Sequence, residues 1–479
     1  VDLESQNQAQ TILPIFHSVQ LDTDLCVGCT TCIKFCPTKA IRVKNGKARI
    51  FEDRCIDCGE CIRRCPKGAK KAVSDPVFLM DGYDLKVALP APSLYAQFGP
   101  KYSHSDIFKA LQRSGFDEVF DVAWGAIVVT EMTRNLLSQT DLRPRISSAC
   151  PVVVRLIQQR FPSLIPNLVP ILPPFEIAAR EVRNRLNHLS KRIGIFFLSP
   201  CTAKVTAIKM PLGYECSAIN AVFSFGKVYR LMKRALDPLS PSIPLQSHLP
   251  SDSEISSTKI ADISHETSGP PLSQHLLPIM DNLDPGIGWA RSDGELDALH
   301  IENAVSVDGI SNVIELLEAI ENGNTDSIEY VEALACPGGC VGGPMAVENP
   351  YIARSTIRQR YRSAALVSTV PQPFLDRYQN IKEKSKPPSP KSQKYLEEDY
   401  REYKWNKPLS PNPVLVLNKD LSKALEMAER IEYIRGKLPG IDCGACGAPD
   451  CDSFAEDIVR GLSTLEECIL LADQDINQS

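Results

Sequence analysis

Two cysteine runs near the N-terminus have the side chains and the spacing to hold metal. Cys26-x-x-Cys29-x-x-Cys32-x-x-x-Cys36-Pro37 is followed by Cys55-x-x-Cys58-x-x-Cys61-x-x-x-Cys65-Pro66. Three closely spaced thiolates and a fourth from a distance wrap one 4Fe-4S cubane, and in the doubled run each fourth cysteine serves the other cluster. The expected sets are therefore Cys26, Cys29, Cys32 and Cys65 for one cubane, and Cys55, Cys58, Cys61 and Cys36 for the second. Zinc competes for paired Cys-x-x-Cys units, but it is satisfied by four ligands, and three-cysteine runs closed by Cys-Pro fit cubanes better. Cubanes side by side pass single electrons and do no chemistry of their own, so they imply a redox centre to feed.

Candidates for that centre lie further along. In Ala335-Cys336-Pro337-Gly338-Gly339-Cys340-Val341-Gly342-Gly343-Pro344 two thiols stand four positions apart in a loop of small residues, which lets backbone approach an inorganic cluster. Cys150, in Ser147-Ser148-Ala149-Cys150-Pro151, and Cys201, in Ser199-Pro200-Cys201-Thr202-Ala203-Lys204, each follow an apolar run that reads as a buried strand. Each alone reads as a core cysteine at a strand end, but with Cys336, Cys340 and Lys204 they make a four-thiolate set. Near the C-terminus Cys443, Cys446, Cys451 and Cys468 form a fourth set, with glycines and Pro449 where a loop must wrap a cluster. Of the 17 cysteines only Cys216 is left over, and it reads as a small buried residue. Tight clustering in a long chain argues for metal sites and against a disulfide framework.

The three central segments, within roughly residues 85 to 375, resemble the signature segments of the iron-iron hydrogenases. The resemblance implies an H-cluster: a cubane on Cys150, Cys201, Cys336 and Cys340, joined through Cys340 to a diiron subsite with carbon monoxide, cyanide and a bridging dithiolate. It implies that Lys204 holds a cyanide, and it puts Pro92 and Ser93, after the first strand of this region, among the cofactor-binding positions. Where the family has a proton-relay cysteine before the first ligand, this chain has Ala149, which carries no proton. Ser199 replaces the family's methionine, the glycine tail after Cys340 is short, and Glu131 on the helix Thr130 to Leu137 is out of register for the acidic relay. The N-terminal runs resemble a bacterial two-cluster ferredoxin, and the C-terminal set resembles the small 4Fe-4S module of corrinoid Fe-S proteins and electron-transport subunits. The combination is similar to the sensory subgroup of iron-iron hydrogenases, whose members commonly continue into a PAS domain. With the sequence ending at Ser479, output is expected through a partner or through the redox state of the C-terminal cluster. The implied protein binds H2, splits it slowly and reversibly, and passes electrons through four 4Fe-4S clusters to ferredoxin or another redox protein, as a hydrogen or redox sensor with a signalling or hydrogenase-complex partner. Two alternatives stay open: a catalytic subunit of a ferredoxin- or NAD-linked complex, and an electron-transfer or Fe-S scaffold protein without the diiron unit.

The elements that must position these thiols alternate between strand and helix. Lys86 to Leu89 reads as strand, Ser105 to Ser114 as helix and Glu118 to Val122 as strand; further strands are expected before Cys150, at Ile193 to Leu198, at Ala304 to Val307 and at Tyr330 to Leu334. This is an α/β pattern, in which sites gather at the carboxyl ends of parallel strands. The expected organisation is an N-terminal extension over 1–19, a two-cluster α+β ferredoxin-like domain over 20–75, an H-cluster domain over 84–378 with parallel sheets flanked by helices, a linker over 379–412 and a small helical 4Fe-4S domain over 413–470. A Ser/Pro-rich insertion over 236–286 contains His248, His265 and His275, too irregularly spaced to read as a metal site, and a helix is expected from Ser355 to Val370. At 479 residues the chain is too long for one core. A net charge of -5 gives no basic footprint for nucleic acid. No apolar run approaches the ~20 residues of a membrane span, and the expectation is a cytoplasmic protein.

Overall fold

The computed structural model describes residues 16–236, 284–325, 327–365, 401–414 and 416–471. The N-terminal module runs β1 (Val19–Leu21), α1 (Thr31–Lys34), β2 (Ile41–Lys44), β3 (Lys47–Ile50), α2 (Glu60–Arg64) and β4 (Lys70–Ala72). β1 pairs antiparallel with β4, and β2 with β3. The β2–β3 hairpin closes at Asn45-Gly46, both at positive φ, the two-residue turn whose twist matches that of the flanking strands. Of the expected extension over 1–19, residues 16–19 belong to the module: Val19 opens β1, and His17 and Ser18 are buried.

The central domain continues with β5 (Leu85–Pro90), α3 (His104–Arg113), β6 (Glu118–Val119), α4 (Val122–Gln139), β7 (Arg145–Ile146), α5 (Pro151–Arg160), α6 (Pro174–Leu186), β8 (Ile193–Ser199), α7 (Thr202–Lys209), β9 (Ala221–Ser224) and α8 (Phe225–Leu236). After the residues outside the described set come α9 (Asp284–Gly288), α10 (Gly294–Leu299), β10 (Ala304–Asp308), α11 (Ile310–Glu321), β11 (Tyr330–Leu334) and α12 (Pro350–Ala365). Two parallel sheets result, ordered β6-β5-β8-β9 and β10-β11-β7. Parallel strands covered on both faces must be apolar almost throughout. Val87, Ala88 and Leu89 of β5 and Ile195 to Leu198 of β8 are accordingly fully buried, and each large side chain among them contributes roughly 1.5–3 kcal/mol by leaving water.

Several boundaries differ from the sequence reading for local reasons. The strand at Glu118 stops at Val119 because the Asp121 carboxylate receives the Ala123 N–H at 2.8 Å and caps α4, so Val122 begins a helix. α12 begins five residues before the expected Ser355 and is described to Ala365; 366–370 of the expected helix lie outside the described residues. The insertion over 236–286 falls largely outside the described residues, His248, His265 and His275 included; Leu236 is the last described residue of α8, and 284–286 belong to α9.

Of the stretch read as linker, 379–412, residues 401–412 are described and lie against the central domain. The Leu172 N–H donates to the Tyr403 carbonyl at 2.8 Å, Trp405 N–H to Pro170 at 3.0 Å and Asn412 N–H to Gln158 at 3.0 Å, and Tyr403 is buried. Two helices follow: α13 (Leu421–Lys437), capped by Asp420, and α14 (Cys451–Val459), capped by Asp450. The second helix does not reach Cys468 as expected, because Gly461 at positive φ turns the chain after Arg460.

Candidate functional site

β7, β8 and β11 deliver the central cysteines. Cys150 follows β7 and precedes α5, Cys201 joins β8 to α7, and Cys336 and Cys340 occupy the loop after β11. The four thiols converge: Cys201 is held above its usual range first by burial and then by Cys336, Cys150 and Cys340 beside it, against the opposing Lys204 charge. Burial raises Cys150, and it lifts Cys336 to about 11 against the neighbouring Arg63. Buried thiols in such a group deprotonate only when a metal supplies the compensating charge, which is the state a ligand needs. Lys204 Nζ stands 3.6 Å from Cys340 Sγ; burial lowers its affinity for the proton, and Cys340, Cys201 and Cys150 more than restore it.

The loop geometry requires its glycines. Gly339 has φ +92, and a Cβ there would lie 2.6 Å from Ser292 N. Gly59, in the N-terminal module at φ +76, would put a Cβ 2.4 Å from Pro344 Cγ, so the module sits hard against this loop. Arg63, from α2, donates to the Gly342 carbonyl at 2.6 Å and to Glu60 at 2.6 Å. Its guanidinium, disfavoured by burial, is held charged by Cys336 and Glu60.

Two further pockets in the N-terminal module hold the crossed cysteine sets: Cys26, Cys29, Cys32 and Cys65 line one, and Cys36, Cys55, Cys58 and Cys61 line the other. Backbone amides point at the sulfurs in a repeated arrangement, with Ala40 N–H to Cys36 Sγ and Ala69 N–H to Cys65 Sγ both at 3.2 Å. Cys55 also stands near His17 and Asp57, which hydrogen-bond each other at 2.7 Å. Cys443, Cys446, Cys451 and Cys468 line a third pocket. This C-terminal module docks on the N-terminal one: Arg42 grips Asp457 through Nε at 2.5 Å and Nη2 at 3.1 Å, Arg54 meets Glu456 at 2.7 Å, Lys39 meets Asp450 at 2.8 Å, and Lys44 pairs with Glu467. The Val43 N–H donates to the Gly447 carbonyl at 2.8 Å, and Val43 also lines the first pocket. Cys216 is exposed rather than buried, a correction that follows from its place in the loop between α7 and β9.

Pro92 and Ser93 open a 3-10 turn at the end of β5. The Ser93 hydroxyl is buried with no partner among the described residues, as expected of a donor reserved for a bound group. Ser199 is fully buried and its Oγ receives the Cys201 N–H at 3.1 Å, a bond that methionine could not provide. Glu131 is partly exposed and pairs with Arg134, one helical turn on, while its neighbours Val129 and Met132 are buried apolar residues.

Sequence reasoning missed a group of acids. Glu295, on α10, is buried and accepts from Ser147 Oγ at 2.8 Å and from the Tyr330 hydroxyl at 2.5 Å. Glu332, within β11, is also buried and accepts the Leu296 N–H at 3.2 Å. Burial pushes Glu295 up to about 7 and, with the Glu295 charge next, pushes Glu332 well above the usual carboxylate range. The signal for Glu332 was a lone charge in an otherwise apolar strand; Glu295 offered none. Arg63 was equally silent, one of two arginines between Cys61 and Cys65.

A family model described as iron only hydrogenase large subunit, C-terminal domain, matches residues 85–344; models of a 4Fe-4S dicluster domain and of an Fe-S cluster match 18–66 and 438–470. The chain is 28% identical over 212 residues to the periplasmic [Fe] hydrogenase large subunit of Nitratidesulfovibrio vulgaris, covering 39% of this chain and 50% of that one. It is 23% identical over 370 residues to the NADP-reducing hydrogenase subunit HndD of Solidesulfovibrio fructosivorans, covering 69% and 57%. The chain thus spans about half the length of these curated relatives. A solved [FeFe]-hydrogenase HydA1 variant from Chlamydomonas reinhardtii aligns over 69% of this chain and 95% of its own, at 14% identity and a TM-score of 0.43. No helix among the described residues is long and apolar enough to cross a membrane.

Proposed function

We propose, for a chain that belongs to the iron-only hydrogenase large-subunit family, that it binds H2 at an H-cluster and splits it slowly and reversibly, as a hydrogen or redox sensor. Cys150, Cys201, Cys336 and Cys340 would hold the cubane, with Cys340 shared with the diiron subsite. The observation that carries this reading is the convergence of those four thiols with Lys204 Nζ 3.6 Å from Cys340 Sγ. The donor chemistry fits the group: buried sulfurs for iron, a cationic donor beside one of them, and an unpartnered Ser93 hydroxyl for a polar ligand.

When bound, the diiron unit supplies H2 heterolysis, with a base on its own dithiolate. The chain's residues supply the rest. Lys204 and Ser93 offer hydrogen-bond donors in a place where water is scarce and such donors count for more. Arg63 fixes the Cys336 loop through the Gly342 carbonyl and ties it to the second cysteine set of the N-terminal module. The docking contacts favour a route for electrons from the central site through that module to the C-terminal cysteines. At Ala149 no side chain can take a proton, which supports slow turnover, since a positioned acid–base group typically contributes ~100- to 10,000-fold. Ferredoxin or another redox protein would complete the circuit. The likeness to an NADP-reducing hydrogenase subunit favours a second reading, a catalytic subunit of a nicotinamide-linked complex.

The test is an infrared spectrum of anaerobic protein loaded with all clusters, in the region of metal-bound carbon monoxide and cyanide, under nitrogen and then hydrogen. Bands that shift with hydrogen are expected. Absence of bands despite full cubane loading would sink the hydrogenase reading and leave an electron carrier.

A further inference from the structure

The doubled cysteine run gives the N-terminal module an internal repeat, so each residue around one set has an equivalent around the other. Gly28 answers to Asp57, Thr31 to Glu60, Thr38 to Lys67 and Ile41 to Lys70. The fold keeps the equivalence. Gly28 and Asp57 both have positive φ, and Ala40 and Ala69, just before Ile41 and Lys70, make the matched bonds to Cys36 and Cys65. Because the fourth cysteines cross, Gly28, Thr31, Lys67 and Lys70 line the pocket of the first set, whereas Thr38, Ile41 and Glu60 line that of the second, with Asp57 beside Cys55. The repeat matches the thiols and mismatches the charges.

Two of these charges are buried and not offset by a neighbour in the repeat. Lys70 is 3% exposed, and its Nζ has no hydrogen-bond partner among the described residues. A buried ammonium without a partner is tolerated only beside negative charge, which a loaded cluster on four thiolates would supply. Burial raises the Cys32 thiol, and of the charges nearby Lys70 opposes that most; Lys70 is felt at Cys61 in the second set as well. Asp57 is 1% exposed; its oxygens accept the Val19 N–H at 2.9 Å and the Thr206 hydroxyl at 3.0 Å, and lie 2.7 Å from His17 Nδ1 and 3.9 Å from Arg155. After burial, Asp57 is what most opposes charge on Cys55. No carboxylate could take the equivalent place in the first set, since a Cβ on Gly28 would lie 2.6 Å from the Gly46 carbonyl oxygen. Glu60, by contrast, is offset by Arg63 and Arg64, and Lys67 is exposed.

The two sets also face different neighbours. The second faces the central loop, through Gly59 against Pro344 and Arg63 on Gly342. The first faces the C-terminal cysteine loop, where Lys34 of α1 donates to the Asp442 carbonyl and, at 3.5 Å, to the Pro449 carbonyl. We propose that Lys70 and Asp57 give this relay its direction, Lys70 favouring an added electron on the first cubane and Asp57 disfavouring it on the second. One electron leaves the second cubane, which is oxidised, and enters the first, which is reduced; no bond breaks and no proton moves. Electrons from the central site then collect on the side of the C-terminal module. The inference rests on the reading of both N-terminal sets as cubanes and makes no use of the H2 chemistry.

The experiment is a reductive titration of the full chain, loaded with cubanes but no diiron unit, followed by electron paramagnetic resonance. The N-terminal pair is recognised by the spin coupling of two reduced cubanes side by side, and it should reduce in two separate steps. Lys70→Met should lower the reduction equilibrium of the earlier step about tenfold, or about 59 mV for one electron, and Lys70→Arg should leave it in place. Asp57→Asn, which keeps an acceptor for the Val19 N–H, should raise the later step by about as much, so either change narrows the interval. An interval unchanged in Lys70→Met, or a shift as large in Lys70→Arg, overturns the inference. If iron analysis shows that Lys70→Met has lost a cubane, an unchanged interval in Asp57→Asn overturns it. Two cubanes that reduce together in the wild type overturn it as well. If iron and sulfide analysis finds no N-terminal cubanes, the cluster reading of this module fails and the inference falls with it; cubanes present with indifferent variants sink the inference alone.

Discussion

Arg42→Met should loosen the C-terminal module from the N-terminal one far more than the loss of one ion pair at a surface would. Arg42 and Asp457 are each about 3% exposed and meet through two bonds, and Arg42 also donates to the Lys39 carbonyl at 2.8 Å. Removing the guanidinium strands a buried carboxylate, which costs roughly 3–5 kcal/mol, a factor of about 100 to 5,000 in the docking equilibrium. Replacing both partners by apolar residues of similar volume, Arg42→Met with Asp457→Leu, should cost far less, since each charge also loses its desolvation penalty. Lys44 and Glu467, both about one-third exposed or more, set the contrast: Lys44→Met should cost no more than ~1 kcal/mol. Hydrogen exchange of the α14 amides reads the docking, and electron transfer from reduced N-terminal cubanes to the C-terminal cluster reads its purpose. If single and double variants loosen α14 equally, the burial argument is wrong. If α14 opens and electron transfer is unaffected, the module is not in the electron route.

Four further outcomes are expected. Ala149→Cys in loaded protein should raise H2 turnover by ~100-fold or more, and unchanged turnover would mean the missing thiol was not limiting. Lys204→Met should abolish retention of the diiron unit while leaving the iron content of the cubanes intact, measured by metal analysis and infrared spectroscopy. Gly339→Ala meets both a left-handed backbone and a 2.6 Å contact, so the variant should lose the central cubane, seen as a drop in iron and sulfide per chain. Glu295, with a native value of about 7 against 4.5 when unfolded, keeps a proton over that range that the unfolded chain releases; its contribution to folding stability should therefore fall by about 3 kcal/mol as pH rises from 4.5 to 7, and Glu295→Gln should flatten that part of a denaturation-versus-pH curve.

The grouping of the thiols was legible because cluster ligands recur at spacings fixed by the size of what they wrap, and the doubled run anticipates that Cys65 lies with Cys26, Cys29 and Cys32 and Cys36 with Cys55, Cys58 and Cys61. Strands such as the run Ile193 to Leu198 of β8 were legible because a parallel strand buried on both faces is apolar almost throughout. What escaped were contacts between segments far apart in sequence. Nothing near Glu295 announces Ser147, 148 residues away, and nothing in the charges of α14 announces β2. Residues 401–412 looked like linker because their composition is polar and proline-containing, yet their backbone bonds to the central domain. The strand expected through Val122 failed because apolar residues after Asp121 serve a helix as well as a strand, and the cap decided between them.

Residues 401–412 have a consequence for how far the C-terminal module can travel. Asn412 is bonded to the central domain and α13 begins at Leu421, leaving residues 413–420 between an anchored point and the module. At 3.3–3.6 Å per residue that span reaches at most about 30 Å. A module released from its docking face therefore remains confined to a small volume, where its effective concentration for return is of millimolar order. Undocking is then a rapid, reversible, concentration-independent event within one molecule, and a competitor for the β2 face must outbid a neighbour on a short leash.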